Sequence, residues 1–483
     1  MKMLDDKIAS FFESVSKAAE IIHEAIKKGG AIYVFSHLDA DGIAAAGIIG
    51  KALYRLEAQF RIRITQWVDE KLVNEIIEEK PEMAIFMDLG SDYASLLRQK
   101  SPQIEVVVLD HHQTAENIVG EFPCVNPHLY GIDGARDISS SGVAYLVAKA
   151  IDKANMDLAP VAIVGALGDL QDKYEQRMLG GLNKIIVEDA KSQQLLTVDK
   201  DLMFFGRETR PIHKALASTT NPFIPGISGD ESGSFAFLSS LGIKIRLDDK
   251  WRALRDLTEE EKKRLCSALA DYLLSKGLHY EVSNLIGHVY TLTREDAWTP
   301  LRDAREFAVL LNATGRMGKS GVGVAVCMGD RGAILEEANK ILEEYRQTIS
   351  KYLEWVMGKP ERLRELENIY VVHGEEYIDD KIVGAISSIL STSLPKPEKP
   401  LIVYADVKGE GIVKVSARTV DAVALRGVNL GKIMQVAAEK CLGKGGGHDV
   451  AAGAQIPTEN IEVFIKLVDE LIGKCLIGGK GGS

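Results

Sequence analysis

The 483-residue sequence has only five cysteines, and they are widely scattered. So few thiols, none paired at the short spacing of a zinc site, exclude a disulfide-stapled fold. No stretch approaches the roughly 20 uninterrupted apolar residues that a membrane-spanning helix needs. Residues 1–30 carry charges throughout an amphipathic pattern, which indicates a surface helix rather than a secretory signal. We therefore expect a reduced, cytoplasmic protein with no membrane association.

Basic residues are fewer than acidic ones. The sequence has 58 Lys and Arg and 69 Asp and Glu, which gives a formal net charge of −11. This balance argues against a protein that coats nucleic acid through a uniformly basic surface. It does not exclude a protein that contacts a polyanion through a local basic channel. At 483 residues the chain is too long for one ordinary core, so two or three domains are expected.

The first part of the chain alternates short apolar runs with helical segments. Strands are expected at 31–35, 62–67, 83–87 and 104–109, and the apolar run that ends at Asp169 is read as a further strand. Continuous apolar strands separated by helices predict an α/β fold, with a parallel sheet covered by helices on both faces. This domain is predicted to span 1–195. Gly and Pro punctuation predicts an inserted module over 196–300, followed by a linker helix and a smaller α/β domain over 301–475.

Acids and histidines stand where the predicted strands end. Because the carboxyl ends of neighbouring parallel strands meet at one edge of a sheet, these side chains are expected to converge there. A single such residue is usually a helix cap or a solvated loop residue, but the joint pattern is hard to obtain by accident. The residues are His37, Asp39 and Asp41 after the first strand, Asp88, then Asp110, His111 and His112, and finally Asp169.

Carboxylate and imidazole ligands without cysteine favour Mn²⁺, with Mg²⁺ as the alternative. Burying four or more carboxylates together is costly unless cations neutralise them. The ligands outnumber the needs of one ion, so the pattern predicts two divalent ions. Two ions roughly 3.5–4 Å apart are the arrangement that enzymes use for in-line phosphoryl displacement.

Four motifs, SHLDADG, MDLG, LDHH and GALGD, occur in that order and resemble the motifs of the DHH phosphoesterase family. The segment GGGHDVAAGA resembles the glycine-rich motif of the companion DHHA1 domain. Within the family the layout resembles a RecJ-like exonuclease. The segments LRDAREFAVLLNATGR and NPFIPGISGDESG are most similar to the archaeal GINS-associated nuclease.

The resemblance implies roles for the residues at the strand ends. One metal would bind His37, Asp39 and Asp88, although some family members place the first histidine four residues before the aspartate rather than two. A second metal would bind Asp41, Asp88, His111 and Asp169, so that Asp88 bridges the two. His112 would face the scissile phosphate, and Asp110 would orient a ligand histidine.

The resemblance also implies that the C-terminal domain binds the substrate. Arg418 and His448 would hold the end of the nucleic acid chain. Pattern alone leaves other readings open, since a glycine run is often a flexible loop at a helix exit, and the segment KVSAR could be an edge strand with a solvated arginine. The substrate-binding residues implied are Ser416, Arg418, Lys444, Gly445, Gly446, Gly447 and His448.

The expected function is a metal-dependent, single-strand-specific exonuclease in DNA replication or repair, acting 5′ to 3′ on DNA, with RNA as a second substrate. One alternative is a hydrolase of small substrates such as oligoribonucleotides or cyclic dinucleotides. Another is a replisome scaffold that binds GINS or the replicative helicase, as in a helicase subunit of this family that has lost catalysis. Every acidic metal position is occupied here, which favours the enzyme. Expected partners are single-stranded nucleic acid and GINS or the helicase.

Overall fold

The computed structural model describes residues 2–113, 122–219, 222–391, 394, 396 and 398–478. The chain divides into two compact units, Met1–Leu342 and Glu343–Ser483. The first part of unit 1 contains α1 (Lys2–Lys28), β1 (Ile32–His37), α2 (Ala40–Arg55), β2 (Phe60–Thr65), α3 (Glu70–Glu79), β3 (Met83–Met87), α4 (Ser91–Lys100), β4 (Glu105–Leu109), β5 (Cys124–Val125), α5 (Ser140–Ile151), α6 (Ala159–Gly168) and α7 (Asn183–Ser192).

Strands β1 to β5 form one parallel sheet in the order β2-β1-β3-β4-β5. The central strand β3 is buried along its whole length, as its apolar sequence requires. Side chains alternate between the two faces, so Phe35 and Phe86 stack on the face that α3 and α4 cover. Helices α2 and α5 contact the opposite face. The predicted parallel sheet with helices on both faces is therefore confirmed.

The predicted strand before Asp169 was wrong, because this apolar run forms helix α6. Nine of its ten residues are buried, and it packs against α2, α5, α7 and α12 (Ala304–Arg316). A helix that is apolar on all sides has no period that would separate it from a buried strand. Pro160 in its first turn is a helix-start signal that the apolar run masked.

The rest of unit 1 leaves the sheet and returns through a two-stranded ribbon. Strand β6 pairs antiparallel with β9, and the segment between them builds its own apolar core around α10. The predicted boundaries at 195 and 300 stay a prediction. The elements are β6 (Leu196–Leu202), α8 (Ile212–Ala217), α9 (Glu231–Ser240), β7 (Arg246–Leu247), β8 (Lys250–Trp251), α10 (Glu259–Ser275), α11 (His279–Val282), β9 (Ile286–Leu292), α12, α13 (Ser320–Cys327) and α14 (Ala333–Met357), which runs into unit 2.

A buried carboxylate links α12 to the segment after β6. Glu306 accepts hydrogen bonds from the backbone nitrogen of Glu208 (2.8 Å) and from Oγ1 of Thr209 (2.5 Å). It is 2% exposed. Burial, reinforced by the charge of Asp303, raises the pKa of Glu306 to about 7.

Unit 2 is built on a six-stranded mixed sheet in the order β10-β11-β12-β13-β15-β14, in which β11 and β12 are the parallel pair. Helices α17 and α18 cover one face around a large apolar core, and α15 packs on the other. Among all the helices described, no stretch combines the length and apolarity that crossing a bilayer requires. The elements are β10 (Leu363–Glu365), β11 (Tyr370–His373), α15 (Val383–Ser391), β12 (Leu401–Val407), β13 (Ile412–Arg418), α16 (Asp421–Ala424), α17 (Leu430–Lys440), β14 (Lys444–Gly447), β15 (Ala451–Pro457) and α18 (Ile461–Gly478).

Candidate metal centre

Three neighbouring strands deliver acids to one edge of the parallel sheet. Strand β1 leads to Asp39, which caps α2 by accepting from the backbone nitrogen of Gly42 (3.0 Å). Strand β3 ends just before Asp88, and the neighbouring strand β4 ends just before Asp110. The expected convergence at the carboxyl ends of the strands is thus present, and it follows from the parallel pairing.

Asp88 lies at the centre of this edge and is buried. Its Oδ1 is 3.3 Å from Nε2 of His111, and its Oδ2 is 3.6 Å from Nδ1 of His37. Neither oxygen accepts a hydrogen bond from any described residue. The residue has a left-handed backbone with φ of 59°, a conformation that aspartate tolerates better than most residues. Burying a charged carboxylate without a hydrogen-bond donor costs free energy, so Asp88 is expected to bind a cation.

Two groups of potential ligands share Asp88. The first joins it to His37 and Asp39, whose Nδ1 and Oδ2 atoms are 3.0 Å apart. The second joins it to His111 and His112, and all the ligand atoms within each group lie within 4.8 Å of one another. The structure therefore brings together the residues predicted for the first metal. The second group shares Asp88 and His111 with the predicted second metal but has His112 in place of Asp41 and Asp169.

The buried ring of His111 is oriented by a backbone carbonyl. Its Nδ1 donates to the carbonyl oxygen of Gly134 (2.7 Å), which leaves Nε2 directed at Asp88 and, at 4.0 Å, at Oδ2 of Asp41. A hydrogen bond of this kind selects the tautomer whose Nε2 can bind a metal. Asp169, the C-cap of α6, places Oδ2 3.8 Å from Nδ1 of the same ring.

Asp41 is held by the start of helix α5. Its carboxylate accepts from the backbone nitrogens of Ser140 (2.8 Å) and Ser141 (3.1 Å), both in the first turn. The run SSSG is thus both a capping segment, with Ser139 at the N-cap, and a support for Asp41. Burial and the charge of Asp88 raise the pKa of Asp41 to about 7, despite these two donors.

Gln171 is a site residue that the sequence did not reveal. It is fully buried, and its Nε2 donates to Oδ2 of Asp169 (3.1 Å) and to the carbonyl oxygen of Gly134 (2.8 Å). Asn183 in turn donates to its Oε1 (2.8 Å). Gln171 therefore orients both Asp169 and the carbonyl that fixes His111. A glutamine two residues after an aspartate is too common a pattern to have signalled this role.

Asp110 orients the ring of His112, which belongs to the second group of potential ligands. Its Oδ1 accepts from Nδ1 of His112 (2.8 Å) and from the backbone nitrogen of His111 (2.8 Å). The side chain of His112 is 47% exposed, whereas that of His111 is 1% exposed. Since Nδ1 of His112 is engaged by Asp110, its Nε2 is the atom left for other contacts.

Divalent cations fit this set of donors. Burial and the charges of neighbouring carboxylates raise the pKa of Asp169 as well as that of Asp41, which shows how unfavourable several ionised carboxylates are together here. His37 partly offsets this, because although burial lowers its pKa, Asp39 and Asp88 raise it to about 10. Two divalent cations bound here would stabilise every carboxylate in its charged form. The oxygen and imidazole groups present are ligands that suit Mn²⁺ or Mg²⁺.

The predicted substrate residues all lie in unit 2. Ser416 and Arg418 are on β13, which is an interior strand between β12 and β15, so the reading as an edge strand was wrong. Ser416 is buried, and its Oγ lies 2.8 Å from Oγ of Ser387. Arg418 is half-buried and donates to the carbonyl oxygen of Ala417 (3.2 Å).

The glycine run forms an edge strand, β14, rather than a loop at a helix exit. Packing requires one of its glycines, since a Cβ at Gly445 would lie 2.6 Å from the carbonyl oxygen of Met434 in α17. Gly447 has φ of 135°, which disfavours any side chain. Gly446 is different, because a Cβ there would meet no atom of the described residues within 4 Å. Lys444 is exposed and His448 is half-buried at the two ends of the run.

Comparison with known proteins gives three domain matches in order: the DHH family N-terminal domain (31–167), the DHH-CID domain (204–286) and the DHHA1 domain (368–474). An uncharacterised protein of Methanocaldococcus jannaschii is 34% identical over 478 residues, which are 96% of this chain and 98% of that protein. The single-stranded-DNA-specific exonuclease RecJ of Escherichia coli is 22% identical over 482 residues, 96% of this chain and 70% of that one.

Two solved structures share the fold. RecJ of Thermus thermophilus in complex with Mn²⁺ has a TM-score of 0.58 at 18% identity, over 95% of this chain and 55% of that one. CDC45 of Entamoeba histolytica has a TM-score of 0.62 at 13% identity, over 95% of this chain and 99% of that one. Both likenesses extend over nearly the whole of the present chain.

Proposed function

We propose, because the chain belongs to the DHH family and is related to RecJ, that it is a metal-dependent phosphodiesterase that digests single-stranded nucleic acid from one end. The observation that carries this proposal is Asp88, a buried carboxylate that accepts no hydrogen bond from the described residues and is shared by two groups of potential ligands. In detail, we propose a cytoplasmic 5′-to-3′ exonuclease of single-stranded DNA, active also on RNA, that serves replication or repair.

His37, Asp39 and Asp88 would hold one divalent ion, while Asp41, Asp88, His111 and Asp169 would hold the other. When bound, such a pair lowers the pKa of water and stabilises negative charge on the phosphoryl oxygens. The RecJ of Thermus thermophilus that shares this fold is a complex with Mn²⁺, which supports Mn²⁺ here, with Mg²⁺ as the alternative. Gly134, Gln171 and the start of α5 hold three of these ligands in place before any ion binds.

His112 is proposed to contact the scissile phosphate. With Nδ1–H donating to Asp110, a protonated His112 offers Nε2–H to a non-bridging oxygen. Asp110 fixes the orientation of the ring, so the donor needs no rearrangement when charge develops on that oxygen. The proton on Nδ1 stays shared with Asp110 throughout.

The substrate chain is proposed to be held by unit 2. Arg418 and His448 would bind the phosphate at the chain end, and Lys444 and Ser416 would add a charge and a hydroxyl. Gly446, where a Cβ would meet no described atom within 4 Å, leaves room for a phosphate to approach the backbone, between Gly445 and Gly447. The name of the Escherichia coli relative supports selectivity for single strands.

Digestion of end-labelled strands tests this proposal. Single-stranded DNA, RNA and duplex DNA, each labelled at either end, are incubated with Mn²⁺ and the intact chain. Stepwise loss from the 5′ end of single strands, absent in Asp88→Asn and retained in Lys100→Gln, is the expected result. Lys100 is exposed at the end of α4, at the opposite edge of the sheet. Equal cleavage of duplex would contradict strand selectivity, and cleavage of only di- and trinucleotides would point to a small-substrate hydrolase.

A scaffold in a replisome is the second candidate, and the fold it shares with CDC45 favours it. Its partners would be GINS or the replicative helicase. The two roles are compatible, because a binding surface elsewhere on the chain leaves the metal ligands free. Co-elution of the intact chain with purified GINS, unchanged by Asp88→Asn, would support the scaffold role. Failure to co-elute, together with active digestion, would leave the nuclease alone.

A further inference from the structure

We propose that Arg136 and Lys173 form a second phosphate-binding site beside the metal centre, for the nucleotide next to the scissile bond. The ligand class rests on the proposed function, namely hydrolysis of a phosphodiester chain. Neither residue belongs to the metal ligands or to the substrate residues of unit 2. Both are exposed cations in loops that contact the metal ligands directly.

These two loops meet at Gly134. The carbonyl oxygen of Gly134 accepts from Nδ1 of His111 (2.7 Å), and Arg136 follows two residues later. The other loop leaves α6 at Asp169, and Gln171 ties it to the same carbonyl (2.8 Å), with Lys173 two residues further on. Two residues span at most about 7 Å. Both cations are therefore anchored within a short reach of the ligands.

Tyr174 positions Arg136. The guanidinium carbon lies 4.0 Å from the centre of the Tyr174 ring, within the range of a cation–π contact. The ring itself is fixed, because its hydroxyl donates to Oδ1 of Asp137 and because a Cβ on Gly180 would lie 2.3 Å from it. A guanidinium stacked on a fixed ring loses little freedom on binding a phosphate, which its planar fork matches.

Lys173 is held in a similar way, since its Nζ donates to the carbonyl oxygen of Ala135 (3.1 Å). Among the residues that the structure describes, neither Lys173 nor Arg136 forms an ion pair with a carboxylate. This contrasts with Arg177 nearby, which pairs with Asp172 at 2.8 Å. Two cations that border a carboxylate cluster without pairing with it keep their charge available for an anion.

A phosphodiester chain places an anion beside the metal centre, at the exposed surface where Arg136 and Lys173 lie. Once one phosphate occupies the centre, the next carries the same charge a short distance away along the strand. An acidic protein surface would offer no such fixed relation to the centre. The alternative is that Arg136 and Lys173 have only a structural role and stabilise the two loops, through the Tyr174 ring and the Ala135 carbonyl.

The test measures binding of a labelled single-stranded oligonucleotide in chelator, where no cleavage occurs, across a series of salt concentrations. For Arg136→Gln combined with Lys173→Gln, we expect about tenfold weaker binding at moderate salt. The slope of log affinity against log salt should also fall by about 0.7, because one phosphate of the single strand is no longer neutralised. Lys100→Gln is the matched control and should change neither quantity. Arg136→Lys with Lys173→Arg should restore most of the slope.

Steady-state kinetics in Mn²⁺ give a second measurement. The KM of the double glutamine variant should be about tenfold higher than that of the unmodified chain, and its kcat should be nearly unchanged. Affinity and salt slope equal to those of Lys100→Gln would overturn the site. A second result would also overturn the site and would favour a purely structural role for the two residues. This result is a fall of several degrees in the thermal midpoint of the double glutamine variant that is not reversed in Arg136→Lys with Lys173→Arg. A chain that binds strands in chelator but never cleaves them would refute the nuclease and leave this site standing. Active digestion with an unaffected double variant would refute only the site.

Discussion

Replacing Asp88 by asparagine isolates the charge that both proposed ions share. Asparagine has the same size and tolerates the left-handed backbone of this position, so the substitution removes a negative charge without straining the chain. Both carboxylate oxygens of Asp88 lack hydrogen-bond donors, so an amide replaces no hydrogen bond to the described residues. The expected consequence is the loss of metal-dependent stabilisation rather than a failure to fold.

The magnitude follows from linkage between binding and folding. An ion present at 100 times its Kd stabilises the folded state by about 2.7 kcal/mol. Unit 1 has 342 residues, and at about 2.1 cal/mol/K per residue its entropy of unfolding is about 0.7 kcal/mol/K. Each bound ion should therefore raise the thermal midpoint by about 4 °C. If the loss of the shared charge weakens a site 100-fold, the stabilisation falls to about 0.4 kcal/mol and the shift to below 1 °C.

The assay is thermal unfolding of the intact chain in chelator and in Mn²⁺. Asp133→Asn is the matched control, because Asp133 is an exposed carboxylate outside both ligand groups that accepts from the backbone nitrogen of Ala135. It should keep the full Mn²⁺-dependent shift, whereas Asp88→Asn should lose it. A full shift in Asp88→Asn would refute the reasoning that both ions depend on this carboxylate.

Four further substitutions test separate parts of the structure. His112→Gln should lower kcat by about 10²–10⁴-fold while the Mn²⁺-dependent thermal shift persists, as steady-state kinetics and thermal unfolding would show. Because the pKa of Glu306 is raised from 4.5 to about 7, its uncharged form is favoured by folding, and this stability is lost as the pH rises through that range. Glu306→Gln should abolish a fall of about 3 kcal/mol in urea-unfolding free energy between pH 4.5 and 7. Gly445→Ala should destabilise unit 2 by about 1–3 kcal/mol, because the added Cβ clashes with α17. Gly446→Ala should unfold like the wild type yet raise KM for single strands, and an unchanged KM would remove the glycine run from the substrate site.

The sequence by itself determined the parallel sheet and the edge where the acids meet. Continuous apolar strands such as β3 alternate with capped helices, and a strand buried on both faces has few other solutions. The positions of Asp39, Asp88 and Asp110 directly after their strands then place all three at one edge. Local order along the chain is enough for this part of the site, because neighbouring parallel strands share their direction.

Only the tertiary structure decided how the remaining groups are oriented. Whether the apolar run before Asp169 is a strand or a helix depends on what surrounds it, since a segment buried on all sides carries no periodic signal. The same holds for hydrogen bonds between distant residues. That Gly134 orients His111, and that Gln171 donates to the same carbonyl oxygen, depends on contacts between loops far apart in the chain. Such contacts leave no spacing in the sequence, because folding and not chain order brings their atoms within reach.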